Sequence, residues 1–136
     1  MLTQEEKKKL LDEWINRLGL GDWTIRAQLS ALPNEFNNRY ADGECRYAEV
    51  IKSASIKVMC EDMMSTGVDW EQVLVHELLH CKFALIYPTN DDSVKGRVMH
   101  QLIDDMSKAL VSAKRGTVLA GTIKSGEDDD EVGKSV

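Results

Sequence analysis

No stretch of this 136-residue chain is apolar for long enough to cross a membrane, which takes about 20 consecutive residues as a helix. The first 20 residues carry Glu5, Glu6, Asp12 and three consecutive lysines with no apolar stretch behind a basic start, so they are not expected to act as a secretory signal. Cysteine is scarce. Cys45, Cys60 and Cys81 are odd in number and lack paired spacing, which argues against a disulfide framework and suits reduced thiols in a cytoplasmic protein. A basic surface is missing as well: of the net charge of −6, Glu127 to Glu131 against Lys134 contribute −4 and residues 1–126 only −2. The body is nearly neutral, so charge gives no reason to expect a nucleic-acid partner. No internal repeat is present. A chain of this length with 43% hydrophobic residues suits one compact domain and therefore one principal site.

The elements follow from spacing and punctuation. Thr3 followed by Glu6 reads as a capping box, and Leu10, Leu11, Trp14, Ile15 and Leu18 recur at helical spacing until Gly19. The lysine run at 7–9 reads as a solvated face of that helix. Trp23, Ile25, Ala27 and Leu29 alternate with polar residues, the period of a half-buried strand. Residues 30–42, with Pro33 and three asparagines, read as a loop. Two further strands are expected at about 44–51 and 54–59, joined with the first as an antiparallel meander. Asp69, with Gln72 three positions on, caps a helix expected over about 70–86, which Pro88 stops by disfavouring helical geometry at Tyr87. Val98, Leu102, Ile103, Met106, Ala109, Leu110 and Ala113 mark another amphipathic helix over about 95–114. The fold class is thus α+β, with residues 1–115 as one domain and 116–136 as an acidic extension. TVLAGTI (117–123) reads as a strand or ordered tail, and disorder is expected from about 124.

The chemistry sits in HELLH, residues 76–80. Positions four apart on a helix differ by about 40° around the axis and about 6 Å along it, so His76 and His80 project from one face toward one point. That suits two corners of a zinc tetrahedron. Glu77, rotated by about 100°, misses the metal but reaches a water bound to it, and would act as the base. Two histidines leave a catalytic zinc one protein ligand short. The chain has one other histidine, His100, with Asp104 four residues later on the same helical face. His100 as third ligand, with Asp104 orienting His76 through its second nitrogen, is a self-consistent set. Asp104 as the third ligand is the alternative, and Cys45 a more distant one. The bland reading is two partly buried helix histidines satisfied by backbone or water, with His100 and Asp104 on the surface.

The order helix, small sheet, HExxH helix, loop and second helix resembles the zincin metallopeptidases over residues 1–114, and is most similar to minimal forms of the gluzincin branch. In gluzincins a glutamate ligand is followed four residues later by an aspartate that buttresses a zinc histidine; HQLID at 100–104 has that spacing with histidine in place of glutamate. Metzincins continue HExxHxxGxxH, where this chain has Phe83 and Ile86. Proteases of the SprT type follow their downstream histidine with glycine, where this chain has Gln101, and GEC at 43–45 only faintly resembles the cysteine segment of peptide deformylase. The resemblance implies a zincin-like fold with a three-stranded, mostly antiparallel sheet, and Zn2+ on His76, His80 and His100. It also implies a peptide or protein substrate extended along an edge strand within residues 44–59. The size and missing targeting segment suit a phage or mobile-element protein. Two other readings stand beside the peptidase: a zincin-fold binding or structural module, and a metal hydrolase acting on a non-peptide substrate. Tyr87, Lys95 and Arg97 are candidates to assist an oxyanion, each equally explicable as a surface residue.

Overall fold

The structure, a computed structural model, describes residues 1–38, 40–87 and 92–116. Pro88, the TVLAGTI segment and the acidic tail lie outside these residues. Among the described residues three α-helices and three strands form an α+β fold: α1 (Gln4–Arg17), β1 (Thr24–Ala31), β2 (Gly43–Ala48), β3 (Ser53–Met59), α2 (Trp70–Lys82) and α3 (Val94–Lys114). Among the described residues no helix is long and apolar enough to cross a membrane.

The ends of α1 are fixed by local chemistry. Glu6 N–H donates to Thr3 Oγ1 at 3.0 Å while Thr3 N–H donates to Glu6 Oε1 at 2.8 Å, closing the capping box. At the other end Gly19 takes φ +68°, a left-handed conformation that glycine adopts without steric strain, and its N–H and that of Leu20 return to Asn16 and Ile15. The alternation along β1 and β3 sends Ile25, Ala27, Leu29, Ala54, Ile56 and Val58 to the face that the helices cover. Leu74, Val75, Leu78 and Leu79 of α2 are buried against them, each stabilising the fold by about 1.5–3 kcal/mol.

The strand order is β1-β3-β2, with β3 parallel to β1 and antiparallel to β2. The sheet is therefore mixed, and the expected meander is corrected: β2 does not pair with β1 but lies at the far edge. The loop between β1 and β2, which holds a 3-10 turn at Pro33–Glu35, carries the chain past the position β3 later fills. Composition explains the exchange. β3 buries four of its seven residues and needs neighbours on both sides, whereas β2 carries Glu44 and the exposed Arg46 and Ala48 and tolerates an edge. β2 also ends at Ala48 rather than 51, because residues 49–52 turn back with Lys52 at φ +50°.

α2 ends at Lys82, short of the expected 86. Beyond Phe83 the apolar run stops paying attention to the core side: Ala84 is buried, but Leu85 and Ile86 are 84% and 67% exposed. An ionic clamp centred on the buried Glu71 joins the start of α2 to the end of α3. Glu71 accepts from Trp14 Nε1 at 2.7 Å, Lys114 Nζ at 2.6 Å and Arg115 Nη2 at 3.0 Å, and Arg115 Nη1 pairs with Asp69 Oδ2 at 2.8 Å. α3 consequently runs back along α2, which brings its first turns to the HELLH segment.

Candidate metal centre

Asp69 opens α2 by accepting from Gln72 N–H at 3.1 Å, and Ser93 opens α3 by accepting from Gly96 N–H at 3.0 Å. With Leu74, Val75, Leu78 and Leu79 turned into the core, His76 and His80 fall at its margin and are half-buried. On α3 the buried face is Gly96, Ile103, Ser107 and Val111, and His100 and Asp104 lie beside it, turned toward α2.

The three imidazoles meet. His76 Nε2 and His100 Nε2 are 3.2 Å apart, close to the roughly 3.3 Å that separates neighbouring ligand nitrogens in a zinc tetrahedron with bonds of about 2.0–2.1 Å. Ring centroids are 5.2 Å apart for His76 and His80, 4.8 Å for His76 and His100, and 6.0 Å for His80 and His100. One nitrogen from each ring lies within 4.8 Å of the others, a donor set able to hold a metal ion. Behind it, Asp104 Oδ1 stands 3.3 Å from His76 Nδ1 while Oδ2 takes Lys108 Nζ at 3.0 Å. Asp104 thus meets the outer nitrogen of His76 and not the point of convergence. Burial, then the neighbouring imidazoles, push His80 down to about 4; burial and His100 outweigh Asp104 and lower His76 as well. Both effects favour the neutral imidazole, the form that binds metal.

Glu77 is buried on the adjoining side of α2 and, among the described residues, no hydrogen bond or cation holds its carboxyl. Burial first, then Glu44 and Cys81, push it up to about 8. Glu77, His76, His100 and Asp104 line one cleft of about 500 Å³ bounded on its other side by Gly43 and the loop before it.

Other residues flagged in the sequence fall elsewhere. Cys45 Sγ lies 3.9 Å from the Sγ of buried Cys81, so both thiols belong to the α2–β2 packing and neither joins the histidines. The Tyr87 ring stands beside His80, with centroids 5.1 Å apart. Lys95 is exposed, and the Arg97 guanidinium donates to the carbonyl of Asp92. Gly43 and Lys108 were not singled out from the sequence. Lys108 follows Asp104 by one turn, a spacing that marks an ion pair; nothing local marks Gly43. Comparison with protein-family models, with curated proteins and with solved structures finds no match to this chain.

Proposed function

We propose that this chain is a zinc-dependent metallopeptidase. The observation that carries the reading is the meeting of three imidazoles from two helices, two of which line one cleft with the buried, unpaired carboxyl of Glu77. His76, His80 and His100 would hold the ion, and Asp104 fixes the ring of His76 by taking its Nδ1–H. Bound there, zinc supplies Lewis acidity toward a substrate carbonyl and makes water more acidic. Glu77 is the proton carrier: its carboxylate takes a proton from the attacking water and, as the C–N bond breaks, gives it to the departing amine nitrogen. A carboxyl whose proton affinity is raised by burial is suited to both transfers. β2 supplies the substrate surface, since its outer edge carries no further strand in the described sheet and an extended peptide can pair along it.

The test compares wild type with Glu77→Gln and His100→Ala, purified without added metal. Expected are near one zinc per chain in wild type and Glu77→Gln, cleavage of an unstructured protein by wild type alone, and zinc loss in His100→Ala. Zinc bound with no cleavage of any peptide would move the assignment to a binding module, and zinc retained by His100→Ala would remove that residue from the ligand set.

A further inference from the structure

Gly43 opens β2 directly opposite Glu77. Its backbone is outside the left-handed region, so conformation does not demand glycine there. Space does. A Cβ at position 43 would stand 2.6 Å from Val73 Cγ1, 2.7 Å from Glu77 Oε2 and 3.0 Å from Glu77 Cγ. Carbon atoms in unstrained contact sit about 3.5–4.0 Å apart, so Val73 and Glu77 must each move, by up to about an ångström. Val73 belongs to the preceding turn of α2 and is branched at Cβ, which leaves it few alternative rotamers. Glu77 has free torsions and no bond partner among the described residues to restrain its carboxyl. Val73 must give way as well, but the carboxyl is the group free to travel, and the adjoining cleft is where it has room to go.

We propose that Gly43 is a positioning residue for Glu77: the bare backbone at the start of β2 seats the carboxyl that no hydrogen bond holds. This rests on the reading of Glu77 as the proton carrier. It also gives the GEC segment a role through its glycine rather than its cysteine. Because misplacing a reacting group by about 1 Å can cost about 100-fold in rate, the effect belongs in turnover and not in metal retention.

The experiment follows Gly43→Ala, Val73→Ala, Glu77→Ala and the doubles of Gly43→Ala with each of the other two, in the full chain. It measures zinc content, kcat and KM on an unstructured protein substrate, and Tm. Gly43→Ala is expected to keep its zinc and a KM within about twofold, with kcat reduced about 10- to 100-fold. Its loss of Tm should shrink measurably when Glu77 is already alanine, the non-additivity of two groups in contact, with the remainder due to Val73. Gly43→Ala/Val73→Ala should regain stability but not kcat, since the conflict with the carboxylate remains. Wild-type kcat in Gly43→Ala, or its recovery in the Val73 double, overturns the proposal. If wild type cleaves nothing, the peptidase reading falls, and additive Tm losses would then remove the contact with Glu77 as well. If Gly43→Ala does not fold, folding of Gly43→Ala/Glu77→Ala supports the seat and its failure to fold overturns it.

Discussion

The histidines and Glu77 are placed under opposite demands by the same burial. Their environment holds His80 near 4 and Glu77 near 8 and lowers His76, so without metal these three groups tend toward neutrality. The consequences for stability differ in sign. The folded chain holds the Glu77 proton more tightly than the unfolded chain, whose carboxyl titrates near 4.5, so stability is full below that pH and is lost as pH rises through about 8. His80 acts the other way: the unfolded imidazole binds protons that the folded one refuses, so stability falls as pH drops from about 6.5 toward about 4. Between about 6.5 and 8 only Glu77 of this pair contributes. Thermal melts of the metal-free protein should therefore show Tm declining across that interval in wild type and a flatter profile in Glu77→Gln. Equal slopes would mean that the carboxyl is solvated. Asp104→Asn tests the support of His76: it keeps the shape but loses the negative charge 3.3 Å from His76 Nδ1, and zinc affinity should drop about 10- to 100-fold in a competition titration.

Between elements, the decisive contact is far from the histidines. Glu71 is 7% exposed in its side chain and satisfies Trp14, Lys114 and Arg115 at once. Burial alone would raise its carboxyl, but the bonds from Lys114, Trp14 and Arg115 outweigh that and hold it below the usual range. Glu71→Ala would leave the indole N–H of Trp14 without its acceptor and Lys114 and Arg115 with only Glu13 and Asp69, and should destabilise the fold by about 1–3 kcal/mol in urea titrations. A loss under about 1 kcal/mol would show that the clamp is hydrated and does not align α3 with α2.

For the molecule as a whole, the metal would act as a cross-brace. His76 and His80 belong to α2 and His100 to α3, so an ion bound by all three has affinity for the folded chain and little for the unfolded one. At a free zinc concentration about 1,000 times Kd, the added stability is about 4 kcal/mol. Calorimetry should show Tm rising with zinc in wild type and hardly at all in His76→Ala/His80→Ala. An equal rise in both would place the binding elsewhere.

Helix caps and helical periods depend on neighbours within one or two turns, so Thr3 with Glu6, Asp69 ahead of α2 and the stripe along α3 could be read from the chain almost to the residue. The same local arithmetic put His76 and His80 on one face, and His100 and Asp104 on another. Alternation along a strand says which face is buried but not which strand lies alongside; the sheet order came out differently because β3, the most apolar strand, takes the centre and displaces β2 to the edge. The end of α2 was misread for a related reason, since an apolar run does not reveal whether anything covers it, and Leu85 and Ile86 are left exposed. That His100 faces His76 depends on α3 folding back along α2 under the Glu71 clamp, a contact between residues more than 40 positions apart. Gly43 belongs to this second class: its importance is a distance to a side chain on another element, and such distances exist only once the chain has packed.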